Sequence, residues 1–161
     1  MPVTSDIAAT YRGPRRVMRR LLKMGPREDR ALALLIAGCA VAFISSWPGL
    51  QRKAFLSGED LNPMLGGALL GWLFIAPLLF YAIALFSYWI IRLFKGAITP
   101  FGARLALFWA FLAASPVMLL NGLVAGFIGP GLELNIVGAL WVAIVVWFWV
   151  SNLREAGWEA P

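Results

Sequence analysis

Beyond residue 30 the chain is built from long apolar blocks broken by short polar ones, and the blocks set the architecture. A helix needs about 20 predominantly apolar residues to cross a hydrocarbon core of roughly 30 Å. Four blocks reach that length, at about 31–50 (ALALLIAGCAVAFISSWPGL), 65–94, 103–128 and 132–153. The second would be roughly 45 Å long as a straight helix. Pro77 near its middle predicts a kink, and a fifth span arises if that block splits in two. Pro116 lies inside the third block. The pattern predicts an all-α fold, a polytopic membrane helical bundle of four transmembrane helices, with tails at residues 1–30 and 154–161.

Ahead of the bundle, residues 15–24 read RRVMRRLLKM between Gly13-Pro14 and Gly25-Pro26. At a helical turn of about 100° per residue, Val17, Met18, Leu21, Leu22 and Met24 share one arc of roughly 160°. Arg15, Arg16, Arg19, Arg20 and Lys23 fill the complementary arc. Pro14 suits a first helical turn and Gly25-Pro26 supplies the stop. This predicts an amphipathic surface helix over about 14–24, with its apolar face in the acyl boundary and its five cations on anionic headgroups. A secretory signal would run straight from its basic region into its apolar core, whereas here GPRED intervenes. A nucleic-acid arm would leave the apolar half in water. Ile36-Ala37-Gly38-Cys39 has the form of a lipoprotein box, but apolar AVAFI follows where a polar tether is expected, so Cys39 reads as a packing residue.

Composition sharpens the membrane reading. The chain is 61% hydrophobic and 14% charged, with a mean hydropathy of +0.79, against about 45–50% and about 25% for soluble domains. Eight of the fourteen cations lie in the first thirty residues, and Arg92, Lys95 and Arg104 join the second and third blocks without an acid. The first loop balances Arg52 and Lys53 against Glu59 and Asp60, and the last carries only Glu133. Because Lys and Arg collect on the cytoplasmic side, both termini are expected there. Arginine outnumbers lysine eleven to three and alanine is abundant, a composition that suggests a bacterial inner membrane. Trp47, Trp72, Trp89, Trp141, Trp147 and Trp149 are expected as interface anchors.

Candidate chemistry is sparse. There is no histidine and one cysteine, which removes imidazole ligands, His-dependent triads and an internal disulfide. The central parts of the four blocks hold no Asp, Glu, Lys, Arg or His, so proton relays and carboxylate catalysis lack their groups. No enzyme activity and no cofactor are expected. Among the remaining polar residues, Tyr81, Ser115 and Asn121 could line a small polar cavity around the proline kinks, although helix-to-helix hydrogen bonding is the simpler role. Gly67-xxx-Gly71 and Gly122-xxx-Gly126 are expected to pack helices closely, within one chain or in a homo-oligomer.

The third block enters as GAITPFGARLALFWAFLAASPVMLL, and the last ends LWVAIVVWFWVSNLREAGW. Together with the basic tail and closely spaced blocks, these segments resemble the Yip family of Ypt/Rab-interacting membrane proteins, its bacterial members in particular, over roughly residues 60–158. The resemblance implies a compact membrane bundle, commonly of five spans, where four are counted here. The acidic-aromatic motifs linked with Rab binding have no match before Ala31. The expected function is therefore membrane-organising or scaffolding, through anionic lipids and membrane-protein partners and without nucleic acid. The alternatives are a small-solute or lipid permeation protein, or an accessory subunit of a larger membrane complex.

Overall fold

The computed structural model describes residues 2–159, with the Glu159 side chain left aside; the last two residues of the expected C-terminal tail lie outside this range. Among the described residues the protein is all-helical. Two short helices, α1 (Val3–Arg12) and α2 (Pro14–Lys23), precede α3 (Glu28–Ser57), α4 (Leu61–Leu70), α5 (Ala76–Leu93), α6 (Pro100–Ala113), α7 (Ser115–Phe127) and α8 (Leu132–Arg154). A π turn, Gly71–Ile75, joins α4 to α5, and another, Glu155–Glu159, extends α8. Three helical stretches are long and apolar enough to cross a membrane: Glu28–Ser57, Leu61–Leu93 and Leu132–Trp158. A fourth follows if the bent pair α6–α7 counts as one span. This fits an integral membrane protein.

Local chemistry explains the breaks. Glu28 and Asp29 sit in the first turn of α3, where the helix dipole favours acids, and α3 ends on Gly58 in the left-handed conformation, φ 69°. The second apolar block does not split. Instead the Ala76 N–H donates to the Gly71 carbonyl, one residue wider than an α turn, just before Pro77. A proline ring crowds the carbonyl four residues back, and the wider turn relieves that crowding while keeping one continuous helix. At α6 the Thr99 hydroxyl accepts the Gly102 N–H at 3.0 Å, with Pro100 opening the first turn. Pro116 breaks the third block at Ala114, and α6 and α7 diverge by 46°.

Helix α6 is the core. From Phe101 to Ser115 every residue except Arg104 is buried, between α3, α5, α8 and α1. An all-round apolar helix has no outward face to lose, which suits ARLALFWAFLAA. Phe111 is its hub, with ring centroids 4.4 Å from Phe80 and 6.3 Å from both Trp72 and Trp141. Trp72 and Trp141 thus turn inward, contrary to the expectation of interface anchors. Aromatic stacking on a buried ring uses their area better than a headgroup contact would.

The two glycine motifs part company. On α7, a methyl at Gly122 would overlap the Ser45 carbonyl of α3, and one at Gly126 would overlap Pro48. These glycines let α7 lie directly on the α3 backbone. A methyl placed at Gly67 or Gly71 would meet no neighbour within 4 Å. This pair packs against nothing in the chain, so the expectation of close packing within one chain is corrected for it. Gly122→Ala is therefore expected to lower stability by about 3 kcal/mol, at the upper end for overpacking because the obstacle is backbone. Gly67→Ala should be neutral or stabilising by up to about 1 kcal/mol through helix propensity. Thermal unfolding in detergent checks both, and equal effects would contradict the packing described.

Candidate functional site

The basic N-terminal segment forms the expected helix, Pro14–Lys23, but its apolar face meets protein. Val17, Met18 and Leu21 are buried in the main core cluster, with Leu22 packed against it. Their partners are α8 and the π turn that follows it. The face expected in the acyl boundary is thus corrected to a helix–protein contact, because the helical chain continues past the expected span end through the π turn Glu155–Glu159 and meets α2 there.

Polar links fix the two N-terminal helices in place. Arg19 forks onto Glu155, with Nε–Oε1 at 2.5 Å and Nη2–Oε2 at 3.1 Å. The Glu155 side chain is fully buried while that of Arg19 is 48% exposed, so the guanidinium reaches in from the surface. Arg20 pairs with Asp6 of α1. Deeper in, the Trp109 indole N–H donates to the Thr10 hydroxyl at 3.1 Å, and that hydroxyl donates to the Asp6 carbonyl at 2.7 Å. Tyr11 stands edge-on to Phe148, centroids 5.0 Å apart, and burial pushes its hydroxyl above the usual phenol range. Asn152 donates to the Ala106 carbonyl at 3.2 Å. Arg104 pairs with Glu28. The sequence pattern places Glu155 in a solvated tail; the bidentate geometry makes it the anchor of α2.

Of the five cations assigned to headgroups, Arg19 and Arg20 turn toward described carboxylates of the protein, and Arg15 is engaged in an interaction as well. Lys23 is exposed at the C-terminal end of α2. Arg15 and Arg16, at the other end of that helix, line a cavity of about 1150 Å³ that runs along the outer face of α8 from Gly138 to Arg154. Small residues (Gly138, Ala139, Ala143) line its apolar end, then Val146 and Val150, and Ser151 and Arg154 its polar end. Gly13 and Pro14 also line the cavity. Among the described lining residues there is no carboxylate.

Tyr81, Ser115 and Asn121 each meet a different part of the bundle. Tyr81 on α5 stands against Phe108, centroids 5.1 Å apart. Ser115 is buried at the start of α7. Asn121 on α7 directs Oδ1 toward Gly138 of α8. The contacts seen for each are with different neighbours. Among the described residues no three His, Cys, Asp or Glu side chains gather as metal ligands would.

The ion pair gives a direct test of the docking. Arg19→Met strands a buried carboxylate, and breaking a buried pair costs about 3–5 kcal/mol; with the arginine half in solvent, about 2–3 kcal/mol is expected. Arg19→Met with Glu155→Met should recover most of that loss. Thermal unfolding of the two variants, with tryptic cleavage at Arg12 and Arg20 as a probe of undocking, checks it. A double variant no better than the single would contradict the pairing. Comparison with protein-family models, with curated proteins and with solved structures finds no match to this chain.

Proposed function

We propose that the protein is a non-enzymatic membrane-organising or scaffolding protein that works through contacts with anionic lipids and membrane-protein partners. It sits in a bacterial inner membrane with four spans, α6 and α7 forming one, and with both termini cytoplasmic. The charge asymmetry of the loops supports that orientation, and the Yip-like character of residues 60–158 belongs to the same reading.

The docked basic helix carries the proposal. Once its apolar face is spent on the bundle, α2 is a rigid rim of positive charge at the bundle end where Arg92, Lys95, Arg104 and Arg154 also emerge. Such a rim lies level with the headgroups, where each cation near an anionic surface contributes about 1 kcal/mol. The permeation alternative draws less support, since the contacts seen for Tyr81, Ser115 and Asn121 are with different neighbours. An accessory-subunit role has the open face at Gly67 and Gly71 in its favour.

Polymer-bounded discs cut from vesicles of mixed phosphatidylglycerol and phosphatidylcholine test the reading, because they keep the lipid nearest the protein. Discs holding the wild type are expected to be enriched in phosphatidylglycerol over the bulk. The variant Arg16→Gln, Lys23→Gln, which leaves the Arg19–Glu155 and Arg20–Asp6 pairs of α2 in place, should lose much of that enrichment. Wild-type discs of bulk composition would defeat the proposal.

A further inference from the structure

The cavity along α8 has a shape and polarity that a flat cationic rim does not explain. From Gly138 to Arg154 a helix rises roughly 24 Å, while half a bilayer with its headgroups is about 20–22 Å. One end is apolar and lined by small residues; the other presents guanidinium groups. We infer that this groove holds one anionic glycerophospholipid, an acyl chain lying along Gly138, Ala139 and Ala143 and the phosphate met by Arg16 and Arg154. The assignment rests on the membrane-organising reading and gives it a specific lipid site.

Each part of the groove matches one part of that ligand. Without side chains beyond a methyl at 138, 139 and 143, the α8 surface recedes where a chain needs room. Ala139, Val142, Ala143, Val146 and Val150 repeat at three- and four-residue spacing, so they form one stripe along the helix. Ser151 and Arg154 then continue the same stripe into polar territory. Arg15 lines the cationic end as well, but it is engaged in another interaction; the phosphate falls to Arg16 and Arg154. A second copy fits poorly as the occupant. Two copies inserted in the same orientation bring their Arg154 ends to the same depth, and like charges repel there.

Native mass spectrometry of the full chain in a mild detergent decides the matter, with dioleoyl phosphatidylglycerol and dioleoyl phosphatidylcholine as the two probes. The wild type is expected to retain one phosphatidylglycerol, and Arg16→Gln with Arg154→Gln to weaken it roughly thirtyfold, two headgroup cations being removed. Ala139→Leu with Ala143→Leu should fill the groove and lower occupancy several-fold; both positions are exposed, so folding is preserved. Val146→Trp, which blocks the same groove closer to the guanidinium groups, supplies an independent reading should the double variant fail to fold. Unchanged retention in the filled variants would overturn the groove while leaving the organising reading intact, and no preference for phosphatidylglycerol in the wild type would overturn both. Displacement of the lipid by millimolar inorganic phosphate, or a second copy or protein partner held in its place, would also overturn the assignment.

Discussion

Helix α6 has no side that faces outward, and the rest of the structure answers to that. Within a bilayer the apolar residues of a helix gain little by leaving lipid for protein, so burial alone does not hold a bundle together. What holds α6 is close packing around Phe108, Trp109 and Phe111, and a few polar links that would be unmet in hydrocarbon. Spanning helices α3, α5 and α8 supply most of the wall. A further contact comes from α1, whose Thr10 meets Trp109. The N-terminal segment is therefore part of the bundle and not an appendage to it.

That closure explains the irregularities elsewhere. α7 leaves the axis of α6 at Pro116 and lies on α3, and the contact is tight because Gly122 and Gly126 allow backbone to meet backbone. The long second block has little to bury: α4 touches mainly α3, and its window is the apolar stretch most turned outward after α8. Its π turn absorbs Pro77 within one continuous helix, so Trp72 and Phe80 both stay against Phe111.

Much of this was legible in the sequence, and the failures share a cause. The apolar blocks, the Gly-Pro stops around α2 and the break at Ser115-Pro116 are local signals, and local sequence fixes them. Which surface covers an amphipathic face is a tertiary fact. RRVMRRLLKM specifies a helix with an apolar stripe, yet the stripe suits an acyl boundary and the end of α8 equally well. The two glycine motifs look alike, and only the fold gives one of them a backbone to meet. Glu155 misled for a related reason. It follows Arg154 in what reads as a solvated tail, while its burial depends on an arginine 136 positions earlier in the chain.

Docking also changes what the basic helix can do. A free amphipathic segment finds its headgroups by losing conformational freedom at the moment of contact, which offsets part of the attraction. Here α2 is already ordered by Val17, Met18, Leu21 and the Arg19–Glu155 fork. The cations facing outward are held at fixed spacing relative to α8, and Arg16 is kept beside the groove that ends at Arg154. Rigid placement adds little to the bare strength of a cation near an anionic surface. At the proposed lipid site its effect would be on selectivity: charges fixed relative to an apolar groove favour a ligand with a phosphate at one end and a chain at the other over either feature alone.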